Sequence, residues 1–483
     1  MPPRSPDRLA VALAAVGAAV AGAVPFFVRV RGWPEILAPG YFVSRGIRLY
    51  DSIFYPHTPL LITAVAGLGG VFGFSAVVFR AILAVSMAAT AALVVAGLER
   101  GRGFVAAATV GVAAAILWQS YMDGLCVFPD AVLPPVLLAA ALLLERFDDS
   151  GSRAPLRAGG LLLGLAVLVK QTSAWVALAA LAWVLLRRKG LRAALELGAA
   201  IATPYALFAV LWGVAFRTTA HLYWTLIVPI FGGFAKEIRM AGGLEDVHEA
   251  LAPFLAIPAV LLLQRALGPR RLSAAAALAV GTIGMAWPRS GLLHLSSAVG
   301  LVSLLAARAV LAAIRVAGAW YRNEVTRPRL AMFVAGVSLT VVALGVAVIG
   351  GGAVLADAWG GDVFYWNDPL TLRLEEEIRG RVRPGETLFL YNTNRDNLYA
   401  RTRALTPDGL YVNSSFWYCF DRAGVDQRVT RGLHDFRGWI LYREPDPDQA
   451  GMRSTELYRF LSTRTEVVAE ASDGMTWRRV LPD

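Results

Sequence analysis

Charged residues are scarce in this sequence, and those that interrupt its apolar runs are of kinds that move protons or hold phosphate. The stretch GWPEILAPGYFVSRGIRLYDSIFYPHTPLL (32–61) follows a greasy N-terminal segment and carries Glu35, Asp51 and His57 among aromatics. A carboxylate at Glu35, behind Trp33 and Pro34, is half-shielded by apolar rings, which raises its pKa toward the range of a general base. The plainer reading is a solvated loop acid that caps a helix. Asp51 in RLYDS sits where it caps the turn into YPHTP, whose Pro56 and Pro59 hold the chain extended, and it is the reserve for the same acid–base role. His57 either hydrogen-bonds a phosphate or caps Thr58 and Pro59.

Three further stretches carry chemistry. QSYMDGLCVFPDAVLPP (119–135) supplies Asp123 and Asp130, which either face the same cavity as Glu35 or cap helix ends, Asp130 standing just before a proline-containing helix start. GGLLLGLAVLVKQTSAW (159–175) ends an apolar helix in Lys170, Gln171 and Thr172. Leaving a charge unpaired near hydrocarbon is costly, so Lys170 implies an anionic partner, unless it snorkels to the interface. WPRSGLLHLSS (287–297) puts Arg289 in a short turn, where a guanidinium can clamp phosphate through two parallel donors, and His294 early in the next helix. The set divides into candidate catalytic carboxylates (Glu35, Asp51, Asp123, Asp130) and candidate substrate-binding groups (His57, Lys170, Gln171, Arg289, His294).

What must position them is a membrane scaffold. Of 483 residues, 57% are hydrophobic and 17% charged, against about 25% charged in a soluble protein. Apolar runs of membrane-spanning length recur between short arginine-bearing connectors. The first, residues 9–27, is too long for the apolar part of a signal peptide and reads as an uncleaved anchor. With Arg4 and Arg8 cytoplasmic, the positive-inside bias places ERGRG (99–103), ERFDDSGSRAPLR (145–157), RRKGLR (187–192), QRALGPRRL (264–272) and the connector 315–329 inside. The loops with the candidate residues then fall outside. Residues 59–72 read as a re-entrant or surface helix, 76–97 as the next crossing, and 221–249 as an aromatic outer loop that is either a lid or an interfacial belt. The expectation is an α-helical polytopic membrane protein with about eleven transmembrane helices over 1–356. A small α/β extracytoplasmic domain is expected over 357–483, with strands at 387–391, 438–444, 466–471 and 475–480 and helices at 371–382 and 454–463.

The net charge of +11 is dispersed among connectors, which points to topology and not to nucleic acid. Cys126 and Cys419 allow at most one disulfide and no four-cysteine zinc site. No phosphate-binding glycine loop, dinucleotide fingerprint or zinc-protease motif occurs in a meaningful context. The sequence specifies no cofactor, and the acids could ligate a divalent metal.

The LYD…YPHTPL block, FGFSAVVFR, FPD, GLLLGLAVLVKQT and PRSGLLHL resemble the polytopic GT-C glycosyltransferases, in the branch with protein O-mannosyltransferases and the lipid A aminoarabinose transferase. The resemblance covers roughly residues 10–310. It implies a polyprenyl-phosphate-linked sugar donor, an extracytoplasmic acceptor, Glu35 as the first-loop carboxylate, Asp123 or Asp130 as the second-loop acid, and Lys170, Arg289 and His294 on the lipid phosphate. The family's first-loop aspartate is absent here; the chain reads RGWPE. The expected activity is inverting glycosyl transfer at the outer face of the plasma (inner) membrane. The rivals are a transporter or flippase for a lipid-linked or anionic solute and a non-catalytic homologue.

Overall fold

The computed structural model describes residues 8–55, 57–187, 189–227, 251–267, 272–285, 292–322, 327–412, 422–446 and 450–482. Arg289, Cys419 and most of the 221–249 loop lie outside them. In hydrocarbon every backbone N–H and C=O must be satisfied within its own segment, so the long alanine-, leucine- and valine-rich runs fold as helices. Among the described residues, six helices are long and apolar enough to cross a membrane: α1 (Arg8–Phe27), α4 (Ala76–Ala96), α5 (Phe104–Tyr121), α10 (Leu191–Phe216), Leu292–Tyr321 and Pro328–Ala358. Shorter apolar helices include α3 (Leu60–Phe72), α9 (Ala174–Leu186), Ala256–Leu267 and Ala274–Met285. The chain is an integral membrane protein, as the composition requires.

The described residues fall into two compact units, one drawn from Met1–Arg29, Arg80–Leu207 and Gly242–Gly361, the other from Val30–Phe79, Phe208–Ala241 and Asp362–Asp483. The first is the helical body. Its α7 (Pro134–Ser150) and α8 (Arg153–Val169) pack as a pair, and the helix Val299–Tyr321, buried through its N-terminal half, packs against α5. The arginine-bearing connectors are tied down by ion pairs. Arg308 grips Glu145 at 2.7 and 2.9 Å and the Gly97 carbonyl at 3.0 Å, while Lys189 and Arg187 share Asp148. Arg80, from FGFSAVVFR, is buried and donates to the carbonyls of Pro25, Val28 (2.9 Å) and Gly361 (2.8 Å), closing off the exposed C-terminal end of α1.

The second unit is mixed. Where the sequence suggests a polar loop, residues 34–44 form a helix, α2 (Pro34–Ser44), started by a proline in its first turn. It lies on α3 so closely that a Cβ on Gly40 would come 2.6 Å from Val65 Cγ1. At 13 residues α3 is only about 20 Å long, short of a ~30 Å crossing, which agrees with a surface or re-entrant helix. Two short parallel pairings join this segment to the C-terminal region: β1 (Val30–Arg31) with β3 (Val363–Phe364), and β2 (Ile53–Phe54) with β5 (Tyr411–Val412). A four-stranded sheet follows, in the order β4 (Leu388–Tyr391), β6 (Trp439–Tyr442), β8 (Thr476–Val480), β7 (Thr465–Glu470); β4 and β6 are parallel and the rest antiparallel. These are the four expected strands. The helices Pro369–Arg379 and Glu456–Thr463 also stand where the sequence puts them, capped by Asp368 and Thr455 side chains.

Candidate functional site

The helical body gathers three residues that are far apart in sequence. α8 ends at Val169 because Lys170 takes an extended conformation (φ −153°, ψ 120°), and one turn of 3-10 helix, Gln171–Ser173, leads into α9. This break turns the Lys170 side chain inward, where it is 7% exposed. On the other side, the 122–133 connection is knotted by Gln119, whose amide donates to the carbonyls of Gly124 (2.8 Å) and Ala131 (3.3 Å), and by a left-handed turn at Asp123 (φ 56°). The connection delivers α6 (Pro129–Val132), with Asp130 in its first turn and wholly buried. His294 comes from the single turn Leu292–Leu295 that precedes the helix Val299–Tyr321.

These three meet at one point. Lys170 Nζ lies 2.6 Å from Asp130 Oδ2 and 3.0 Å from His294 Nδ1, and His294 Nδ1 lies 3.2 Å from the same Asp130 oxygen. With the ammonium donating to both, His294 accepts at Nδ1 and carries its own proton on Nε2. Burial works against the Asp130 charge, but the Lys170 ammonium and the adjoining His294 ring outweigh it and hold the carboxyl below its usual range. The anionic partner demanded by Lys170 is therefore Asp130.

The cluster is not saturated. Asp130 Oδ1, Thr172 Oγ1 and Ser173 Oγ are buried and have no hydrogen-bond partner among the described residues. Buried polar atoms of this kind ordinarily receive a water or a ligand. A divalent metal does not fit here: the ammonium already occupies the cation position on Asp130, and among the described residues no group of three or more His, Cys, Asp or Glu side chains could hold one.

The remaining candidates stand in the second unit, except Asp123, Gln171 and Arg289. Asp123 is half-buried in its turn, where its carbonyl accepts from the Cys126 thiol. Gln171 opens the 3-10 turn beside Lys170. Glu35 lies in the first turn of α2, half-buried, at the helix end that favours negative charge. It is close enough to Tyr55 that, after burial, its charge is the second cause pushing that phenol well above its ordinary value. Tyr55 also packs edge-on against the His57 ring at 5.3 Å, and Tyr50 donates to the His57 carbonyl at 2.8 Å. Tyr55 was not singled out from the sequence; its place two residues before His57 in a motif-like block was the available signal. Asp51 accepts from Thr218 Oγ1 at 2.9 Å, pinning residue 218 just beyond α10. It shares a cavity with Arg48, Arg217 and Arg428.

Neither a family model nor a curated protein sequence matches the chain. The structure does have counterparts. Among solved structures, it is similar to ArnT from Cupriavidus metallidurans bound to undecaprenyl phosphate, with 15% identity, 97% of each chain covered and a TM-score of 0.59. The apo state of the same protein gives 14% identity, 97% coverage of each chain and a TM-score of 0.55. At such identities the likeness is one of fold.

Proposed function

We propose that this chain is a membrane glycosyltransferase that moves a sugar from a polyprenyl-phosphate carrier to an extracytoplasmic lipid, glycan or protein acceptor with inversion. The observation that carries the reading is the buried Asp130–Lys170–His294 cluster, with its unsatisfied polar atoms, inside a fold shared with a protein solved with undecaprenyl phosphate.

In this reading Lys170 and His294 hold the carrier phosphate. The ammonium keeps one N–H beyond its two bonds to Asp130 and His294, and His294 presents Nε2–H; both donors strengthen as negative charge builds on the departing phosphate. Asp130 is a positioning residue, fixing the ammonium and keeping it protonated. Arg289, outside the described residues, adds a guanidinium in the same role, and Gln171 an amide. Glu35 is the general base. It takes the proton of the acceptor hydroxyl as that oxygen bonds to the anomeric carbon; the carbon–oxygen bond to phosphate breaks and its electron pair leaves with the polyprenyl phosphate. Direct displacement inverts the anomeric centre. Asp51 anchors its loop, Asp123 shapes the second connection, and His57 with Tyr55 flanks the base.

The test is transfer of a labelled sugar from a polyprenyl-phosphate donor by the purified protein in lipid nanodiscs. Glu35→Ala and Lys170→Ala should each lower the rate by about 10² or more. Activity that survives both changes ends the reading, and protein-dependent flipping of the donor without transfer would place the chain among transporters.

A further inference from the structure

The second unit contains a cavity of about 720 Å³ lined by Arg45, Arg379, Arg401 and Arg403, with Tyr41 in its wall and α3 along one rim. A single carboxylate, Glu375, faces these four guanidiniums. Its two oxygens are already divided, Oε1 accepting from Arg379 at 2.8 and 3.0 Å and Oε2 from Arg401 at 2.6 Å. Arg401 is further committed to the Trp366 carbonyl and Asn367. Arg45 and Arg403 are exposed and have no carboxylate partner among the described residues. Arg45 lies over the Tyr41 ring, 5.3 Å from its centroid. The Tyr41 hydroxyl is buried, on a side chain 2% exposed, and makes no hydrogen bond with another described residue.

The cavity thus carries an excess of three positive charges, two guanidiniums without a carboxylate partner among the described residues, and a buried tyrosine hydroxyl. That donor set matches an oxyanion, above all phosphate, whose oxygens take the paired N–H groups of arginine. Its rim decides what carries the phosphate. Gly69 and Gly70 on α3 and Gly73 just after it line the cavity, and the residues between and beside them, Leu68, Val71 and Phe72, are 38%, 76% and 70% exposed. In an integral membrane protein such a strip faces acyl chains. A basic cavity bordered by an apolar strip is complementary to an amphiphile that is anionic at one end and greasy at the other.

We infer that this cavity is a binding site for the phosphate headgroup of a membrane lipid, held by Arg45 and Arg403 with Arg379 and the Tyr41 hydroxyl, the lipid chains running along α3. The site stands on its own geometry and does not depend on the transfer reading.

The experiment uses the full chain in nanodiscs of phosphatidylcholine doped with phosphatidylglycerol, with bound lipid counted by native mass spectrometry after release from the disc. The wild type should retain phosphatidylglycerol in preference to phosphatidylcholine. Arg45→Gln with Arg403→Gln, both at exposed positions, should weaken that retention at least about tenfold, while Arg45→Lys should restore part of it. Phe72→Ser should weaken lipid retention too. Equal retention of the two lipids, or retention unchanged in the double variant, overturns the proposal. So does inorganic phosphate competing fully at low millimolar concentration with Phe72→Ser without effect, which would make this a site for a soluble anion.

Discussion

Lys170→Met leaves a wholly buried carboxylate facing an apolar side chain, and the consequence follows from the distances. At 2.6 Å and an effective dielectric near ~20, the Lys170–Asp130 attraction is about 6 kcal/mol before desolvation. Much of this offsets the cost of having both charges out of water, so the pair adds little net stability. Removing one partner is different, because the other then stays buried and uncompensated, at a cost of about 3–5 kcal/mol. Asp130→Leu alone should cost a similar amount by stranding the ammonium, whereas Lys170→Met combined with Asp130→Leu should return most of the loss. Reversible unfolding in mixed micelles, run as a double-mutant cycle, reads these numbers, with His294 intact in every variant. Transfer activity should be lost in all three variants, including the restabilised one, which separates a functional role from a structural one. A Lys170→Met cost below about 1 kcal/mol, or a double variant no more stable than the singles, would show that the two buried charges do not depend on each other.

Three further outcomes are expected. Because Asp130 titrates below its unfolded value, its contribution to stability is complete above about pH 4 and disappears only as pH falls through the lower native value; Asp130→Asn should remove that acid limb from the unfolding profile. Asp396 behaves in the opposite sense. Burial raises it to about 7 against hydrogen bonds from Tyr411 and Thr393, so the native state keeps a proton that the unfolded chain has released, and stability falls as pH rises from about 4 to 7. Asp396→Asn should therefore stabilise by about 2–4 kcal/mol at pH 8 and change little at pH 4, measured by unfolding at both values. Gly351→Ala would bring a Cβ to within 2.2 Å of the Leu117 carbonyl oxygen, where α5 and the helix Pro328–Ala358 touch, and should cost about 1–3 kcal/mol in the same assay.

Much of this was legible in the sequence, for identifiable reasons. The long helices follow from apolar runs with no water to solvate their backbones, and the four C-terminal strands from β-branched and aromatic runs such as GWILYRE. Lys170 was readable because a lysine ending a run such as LLLGLAVLV has to find an anion. The sequence did not say which one. Asp123 and Asp130 are equivalent by composition, and only the Gln119-braced turn decides that Asp130 points inward while Asp123 stays half-exposed. α2 was missed because its aromatic and charged residues mimic a loop, although Pro34 after Trp33 is a helix-start signal. The arginine-lined cavity was invisible for another reason: Arg45 and Arg403 are ordinary surface residues until β2 and β5 pair and bring residues 53–54 beside 411–412.

On the proposed reading, Lys170 and His294 grip the phosphate of a lipid carrier. A structure of the full chain with polyprenyl phosphate bound tests it most directly. A phosphate oxygen should lie about 2.7–3.0 Å from Lys170 Nζ or His294 Nε2, with the Lys170–Asp130 contact kept. Phosphate density lying elsewhere, with the Asp130–Lys170–His294 cluster closed to it, would rule out that role for Lys170 and His294.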